Sequence, residues 1–236
     1  NLKAASDADR VLAAGKGLET YLDEFRESLG GHIPLYEVGR AVPSLRVEAD
    51  EVFICCPAHA SGAIDPHWWH SIKNTRRAAA ALTDELARLR PESAEYFRER
   101  YAAYAVELDE LYAWAKKEIA RIPRADRELT TAHAAFGYLC RELGLRSITV
   151  LGLTTVHDAD PGYMKDVIRT LRDHHVRAVF PEVNANPNVL ESMARETGVA
   201  IGEHLYADMV GMDDPSYSGM MRHNIRIITT SLTGGK

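Results

Sequence analysis

Between Pro91 and Pro123 runs the longest uninterrupted pattern of the chain, "ESAEYFRERYAAYAVELDELYAWAKKEIARI". Its apolar residues Phe97, Tyr101, Tyr104, Leu108, Leu111, Ala115 and Ile119 recur every three or four positions, the spacing of one face of an α-helix. Proline cannot continue a helix, so the two prolines bound it. At ~1.5 Å rise per residue such a helix is roughly 40 Å long. It divides the chain, and whatever folds on either side is joined through it.

Strand and helix patterns alternate on both sides. Before the divide, "GLETYLDEFRESLGG" reads as an amphipathic helix ending at glycines. "EVFICC" is a short apolar run suited to a buried strand, and "SIKNTRRAAAALTDELARL" is helical up to Pro91. After it, "ELTTA" precedes a helix in "HAAFGYLCRELG", and "SITVLGL" precedes "GYMKDVIRTLRDHH". "VRAVF" precedes "PNVLESMARETG", and "VAIGEHLY" precedes a polar loop and a last helix in "PSYSGMMRHNIRIITTSL". Repeated units of this kind predict mostly parallel sheets with helices on their faces. The expected architecture is α/β: a lobe over 1–91, a long rigid linker helix over 92–122 and a second lobe over 123–236. Ligands in such folds sit beyond the carboxyl ends of the strands, which here points to the cleft between the lobes.

Composition narrows the function classes. The chain has 236 residues, 46% hydrophobic and 26% charged, with a formal net charge of -6, ordinary values for a globular protein. No basic run interleaved with aromatics is present, which argues against nucleic acid as a partner. No apolar run is long enough to span a bilayer, and the first residues, "NLKAASDADR", do not read as a signal peptide. Cys55, Cys56 and Cys140 show no CxxC or zinc-finger spacing and read as small buried hydrophobes.

Four polar residues fall at a strand end or a helix start: His67 in "DPHWW", His133 after "ELTTA", Glu182 after "VRAVFP" and Asp208 after "IGEHLYA". Each alone reads as a cap or turn residue. As a set, two histidines and a carboxylate at the ligand-facing edge of the strands can converge on the cleft, and imidazole and carboxylate are ligand types that zinc accepts. The other histidines have simpler readings. His59 and His157 are loop residues, His70 a surface residue on the first helical turn, and His174 and His175 a positive end to a helix. His204 and His223 are ordinary strand and helix residues. Trp68 and Trp69 are expected to pack at the lobe interface.

The chain resembles the metal-binding proteins of ABC transporters that import zinc or manganese, the cluster A-I solute-binding proteins. The matching segments are "ADRVLAAGKGLETYL", "DPHWW" followed by a helix with Asn74, "TTAHAAFGYLCRELGL", "FPEVNANP", and "LYADMVG" followed by "SYSGMMRHN". They come in the family's order, with its long helix between the second and third. The resemblance implies that His67, His133 and Asp208 are metal ligands and that Glu182 is a carboxylate beside the metal, supporting the ligands. It implies a high-affinity zinc-binding protein that delivers Zn²⁺ to a membrane permease, with a metal chaperone as a conceivable further partner. The expected state is a monomer in the periplasm, or lipid-anchored outside the cell in a Gram-positive organism. A histidine at position 133 favours zinc, because manganese prefers oxygen-rich sites, and makes Mn²⁺ the alternative cargo. The family's first ligand histidine, in a "PH.YE"-like motif, has no counterpart here, so the N-terminal part of the first lobe is expected to be missing. A zinc-dependent hydrolase is the rival from another class, with Glu182 as general base. Neither HExxH nor GxSxG supports it.

Overall fold

The computed structural model describes residues 8–28, 30, 34–47, 62–149, 165, 168, 169, 171–174, 176–183 and 188–234. The expected strand "EVFICC" lies outside them, with Cys55, Cys56, His59, His157, His175 and half of "GYMKDVIRTLRDHH". In the first lobe, β1 (Val11–Ala13) and β2 (Leu35–Glu37) pair in parallel, with helix α1 (Leu22–Ser28) between them. α1 is shorter than the pattern from Gly17 suggests. The Glu19 carboxylate turns back to accept the backbone N–H groups of Ala14 at 2.6 Å and Gly15 at 3.0 Å, which holds the approach to the helix in a turn.

A single 3-10 turn, Trp68–His70, leads into helix α2 (Ile72–Leu89). Ser71 caps α2, its hydroxyl oxygen accepting from the Asn74 N–H at 3.1 Å. After a turn at Pro91–Ser93, helix α3 (Ala94–Ala120) packs against α2. The apolar stripe of α3 is not buried evenly. Phe97, Tyr101 and Tyr104 are half-buried, whereas Leu108, Leu111, Ala115 and Ile119 are buried completely. These four join Met221, Ile225 and Ile228 of helix α6 (Tyr217–Leu232) in one core. The expected linker is therefore, over its second half, a wall of the second lobe. Each buried leucine or isoleucine there contributes on the order of 1.5–3 kcal/mol.

The second lobe is built on β3 (Glu128–Thr131), α4 (Gly137–Leu143), β4 (Arg146–Thr149), β5 (Ala178–Phe180), α5 (Asn188–Thr197) and β6 (Ala200–Ile201). The sheet order is β4-β3-β5-β6 and every pair is parallel. α4 ends at Gly144, whose φ of 77° takes the left-handed conformation while its N–H bonds to the Cys140 carbonyl. Cys140 itself is buried, as expected of a small hydrophobe. β6 is shorter than "VAIGEHLY" suggests. Gly202 lies so close to the Phe180 ring that a Cβ would not fit, and pairing resumes as a single bridge between Glu182 and Leu205.

α4 reaches across to the first lobe. The Tyr138 hydroxyl accepts the Leu45 N–H at 2.7 Å and donates to the Pro43 carbonyl at 3.3 Å. The Glu142 carboxylate sits on the N-terminus of α2, accepting from the Ser71 hydroxyl at 2.6 Å and the Ile72 N–H at 2.8 Å. A negative group is favourable there, where helix N–H groups are unpaired.

Candidate metal centre

The register of the second sheet explains what gathers at its edge. Thr131 of β3 pairs with Phe180 of β5. Two residues further along each parallel strand come His133 and Glu182, which therefore stand side by side. Glu182 Oε1 accepts the His133 backbone N–H at 3.1 Å, and Oε2 takes the ring Nδ1. The Glu182–Leu205 bridge extends the same edge, and Asp208 follows three residues on. His133 does not begin a helix, as its sequence position suggests, because α4 starts only at Gly137. The His133 N–H is taken by Glu182, and its carbonyl accepts from the Thr131 hydroxyl at 2.9 Å and the Ala135 N–H at 2.9 Å. These bonds hold an irregular turn in place of a first helical turn.

His67 comes from the first lobe. The Asp65 N–H bonds to the Leu45 carbonyl at 2.9 Å, which anchors the turn. Asp65 Oδ1 then accepts both the backbone N–H and the ring Nδ1 of His67, each at 2.8 Å. A carboxylate only accepts, so each imidazole in its neutral form carries its proton on Nδ1 and presents the Nε2 lone pair to the cleft. Asp65 and Glu182 are both buried, and these histidine bonds satisfy them. Asp65 thus shapes the turn and also orients the ring. Its second role had a signal, a carboxylate two residues before a histidine in an Asp-Pro-His turn.

The two rings stand 5.3 Å apart, centroid to centroid, at 71°. Asp208 Oδ1 lies 3.7 Å from His67 Nε2, and Oδ2 lies 3.7 Å from His133 Nε2. One ligand atom from each of the three residues falls within 4.8 Å of the others. Ligand atoms ~2.1 Å from a tetrahedral zinc stand about 3.4 Å apart, so the donor set fits a single ion with a small contraction. The imidazoles are buried, whereas the Asp208 side chain is 59% exposed. At His133 burial alone would push the pKa down. The bond to Glu182 and its charge, helped by Asp208 and Asp65, outweigh burial and raise it above the ordinary imidazole value.

His70 is not the surface residue its position suggests, since it is completely buried. Its ring lies against Phe136 at 4.6 Å, and the apolar body of that ring fills space between the lobes. Burial, with His67 and His133 nearby, pushes its pKa down to about 3, so it is neutral. The two tryptophans diverge. Trp68 donates to the Ala14 carbonyl at 3.0 Å and packs with Val42, Leu45, Ala78 and Tyr138, while Trp69 donates across the cleft to the Ala207 carbonyl at 3.1 Å. His174 lies near Glu128 and Arg146 at a distant edge of the sheet. His223 bonds to the His204 carbonyl at 2.9 Å.

Two α/β lobes bridged by one long helix, with imidazole nitrogens and a carboxylate facing one another between them, define a metal-binding solute-binding protein. The model of the family described as "ZnuA: Zinc-uptake complex component A periplasmic" matches residues 1–231. The chain belongs to that family. The manganese-binding lipoprotein MntA of Bacillus subtilis is 31% identical over 238 residues, covering 98% of this chain and 75% of that protein. The zinc-binding protein TroA of Treponema pallidum is 29% identical over 235 residues, covering 96% of this chain and 73% of that protein. The solved structure of periplasmic TroA superposes with a TM-score of 0.86 at 27% identity, covering 98% of this chain and 83% of that chain. The family supplies the substrate-binding components of ABC metal-uptake systems, and its members are transport proteins rather than enzymes. The hydrolase alternative falls with that finding.

Proposed function

We propose that this protein captures Zn²⁺ outside the cytoplasm, in the periplasm or on a lipid anchor, and delivers it as a monomer to the permease of an ABC importer. His67, His133 and Asp208 are the ligands in this reading. Asp65 and Glu182 orient the two imidazoles, and residues 92–122 join lobes 1–91 and 123–236. The observation that carries the reading is the pair of imidazole Nε2 atoms, each 3.7 Å from one oxygen of the same carboxylate. Two nitrogens to one carboxylate is a donor balance that suits zinc better than manganese. Remaining coordination positions are open to water or to groups outside the described residues.

The 31% identity to a manganese-binding lipoprotein supports a second reading, the same fold and site with Mn²⁺ as cargo. Relative affinity does not separate the two readings, because nearly any nitrogen- and oxygen-donor site binds zinc more tightly than manganese. The decisive measurement is the metal content of protein isolated from its native cells, together with Zn²⁺ titration of the metal-free form. Zinc at one ion per chain supports the proposal. Manganese as the bound metal would overturn it.

A further inference from the structure

Trp69 and His70 follow His67 in the chain, but their ring N–H groups bond to the other lobe. The Trp69 indole Nε1 donates to the Ala207 carbonyl at 3.1 Å, and His70 Nε2 lies 3.0 Å from the same oxygen. A carbonyl only accepts, so His70 is the neutral tautomer protonated at Nε2. A carbonyl oxygen has two lone pairs, and consecutive residues of the first lobe occupy both. His70 Nδ1 is buried with no partner among the described residues, a cost that an apolar ring of similar size would not carry. The bond to Ala207 is what the imidazole provides there.

The residue after Ala207 is Asp208. Its carboxylate is mostly exposed and stands too far from either imidazole for a hydrogen bond. Its place is therefore set by its backbone. One side of that backbone is held by Asn224 of α6, whose amide accepts the Tyr206 N–H at 2.9 Å and donates to the Tyr206 carbonyl at 2.8 Å. The other side is held by Trp69 and His70. We infer that Trp69 and His70 form a clasp on the Ala207 carbonyl that sets Asp208 at its spacing from His67 and His133. They are positioning residues, and they tie the turn that carries His67 to the loop that carries Asp208. The inference rests on the proposal that these three residues hold a metal.

The test is a Zn²⁺ titration against a competing chelator, with thermal melts and metal-release rates, on the wild type and on His70→Phe, His70→Gln, Trp69→Phe, Asp208→Asn and the His70→Phe/Asp208→Asn pair. Supporting groups of this kind change affinity by about 10–100-fold. His70→Phe and Trp69→Phe should each fold, bind Zn²⁺ about tenfold more weakly and release it faster. His70→Gln, whose amide N–H can reach the same carbonyl, should recover most of the loss. In the Asp208→Asn background His70→Phe should add nothing, because its effect passes through that side chain. If His70→Phe does not fold, Trp69→Phe carries the same test. Wild-type affinity in the folded variants, or an equal loss with and without Asp208, would overturn the clasp alone. A wild type that does not bind Zn²⁺ would overturn the metal reading and the clasp together.

Discussion

Both cleft imidazoles are held by a buried carboxylate that takes the histidine's ring Nδ1 and also its backbone N–H, but the two carboxylates come from very different places. Asp65 lies two residues before His67 in the same turn and uses one oxygen for both bonds. Glu182 lies 49 residues from His133 on a neighbouring strand and uses one oxygen for each. The first arrangement forms whenever its turn forms. The second exists only if β3 and β5 pair in the right register, because a one-residue slip turns the side chains to the opposite face. One half of the site is thus a local motif and the other a product of the fold.

The comparison is tested most severely by removing the rings. His67→Ala and His133→Ala should each weaken Zn²⁺ binding by more than the ~10–100-fold typical of a supporting group, read by chelator competition. Unchanged affinity in either variant would break the equivalence of the two halves.

Removing the carboxylates should separate them. Glu182→Ala leaves two buried donors unpaired inside the second lobe. At ~1–3 kcal/mol for each unsatisfied group it should lower stability by about 2–6 kcal/mol, measured by urea unfolding. Asp65→Asn keeps an acceptor oxygen in the turn and should cost about 1 kcal/mol. Equal losses would mean that the Asp65 turn depends on the fold as much as the Glu182 pair does.

Titration sharpens the contrast at His133. Its pKa in the folded, metal-free protein is raised above the ordinary 6.5. The charged pair with Glu182 therefore contributes stability that is fully present below the unfolded value and is lost as pH rises through the raised one. Metal binding runs the other way, since a metal needs the unprotonated Nε2, and affinity should fall as pH drops through that same raised value. Glu182→Gln should move both transitions to lower pH, measured by melts of the metal-free protein and by Zn²⁺ titration across pH 5–8 (roughly the histidine range).

The smallest effect is expected away from the cleft. Glu142→Gln weakens the cap on α2, and caps are worth about 0.5–2 kcal/mol. The melting temperature should drop slightly with Zn²⁺ affinity unchanged, which would separate the contact between lobes from the geometry of the site.

What was legible in the sequence follows the same division between local and distant. The Leu108–Ile119 stripe, the strand-then-helix order and the helix that ends just before Pro91 are local patterns, and they appear where the sequence predicts. His67, His133, Glu182 and Asp208 were singled out because strand ends are readable, and the structure brings all four together. The misread features depend on partners far away in the chain. His70 sits on a first helical turn, where exposure is the natural expectation, until Phe136 and Ala207 close over it. The start of α4 is displaced because Glu182 takes the His133 N–H, and β6 is cut short where Phe180 packs on Gly202. The role of Asp65 is local, since it bonds a histidine only two residues on.

If the three candidate ligands hold an ion, their uneven exposure would also order events in time. The two rings are buried, while the carboxylate of Asp208 faces solvent. An arriving hydrated cation would meet the exposed carboxylate first and could shed water there before either nitrogen replaced it. On departure the same oxygen would be the one that an approaching partner surface reaches first. Capture and surrender of the ion would then share one gate, with the rates of both governed by a single exposed side chain at the rim rather than by the rings within.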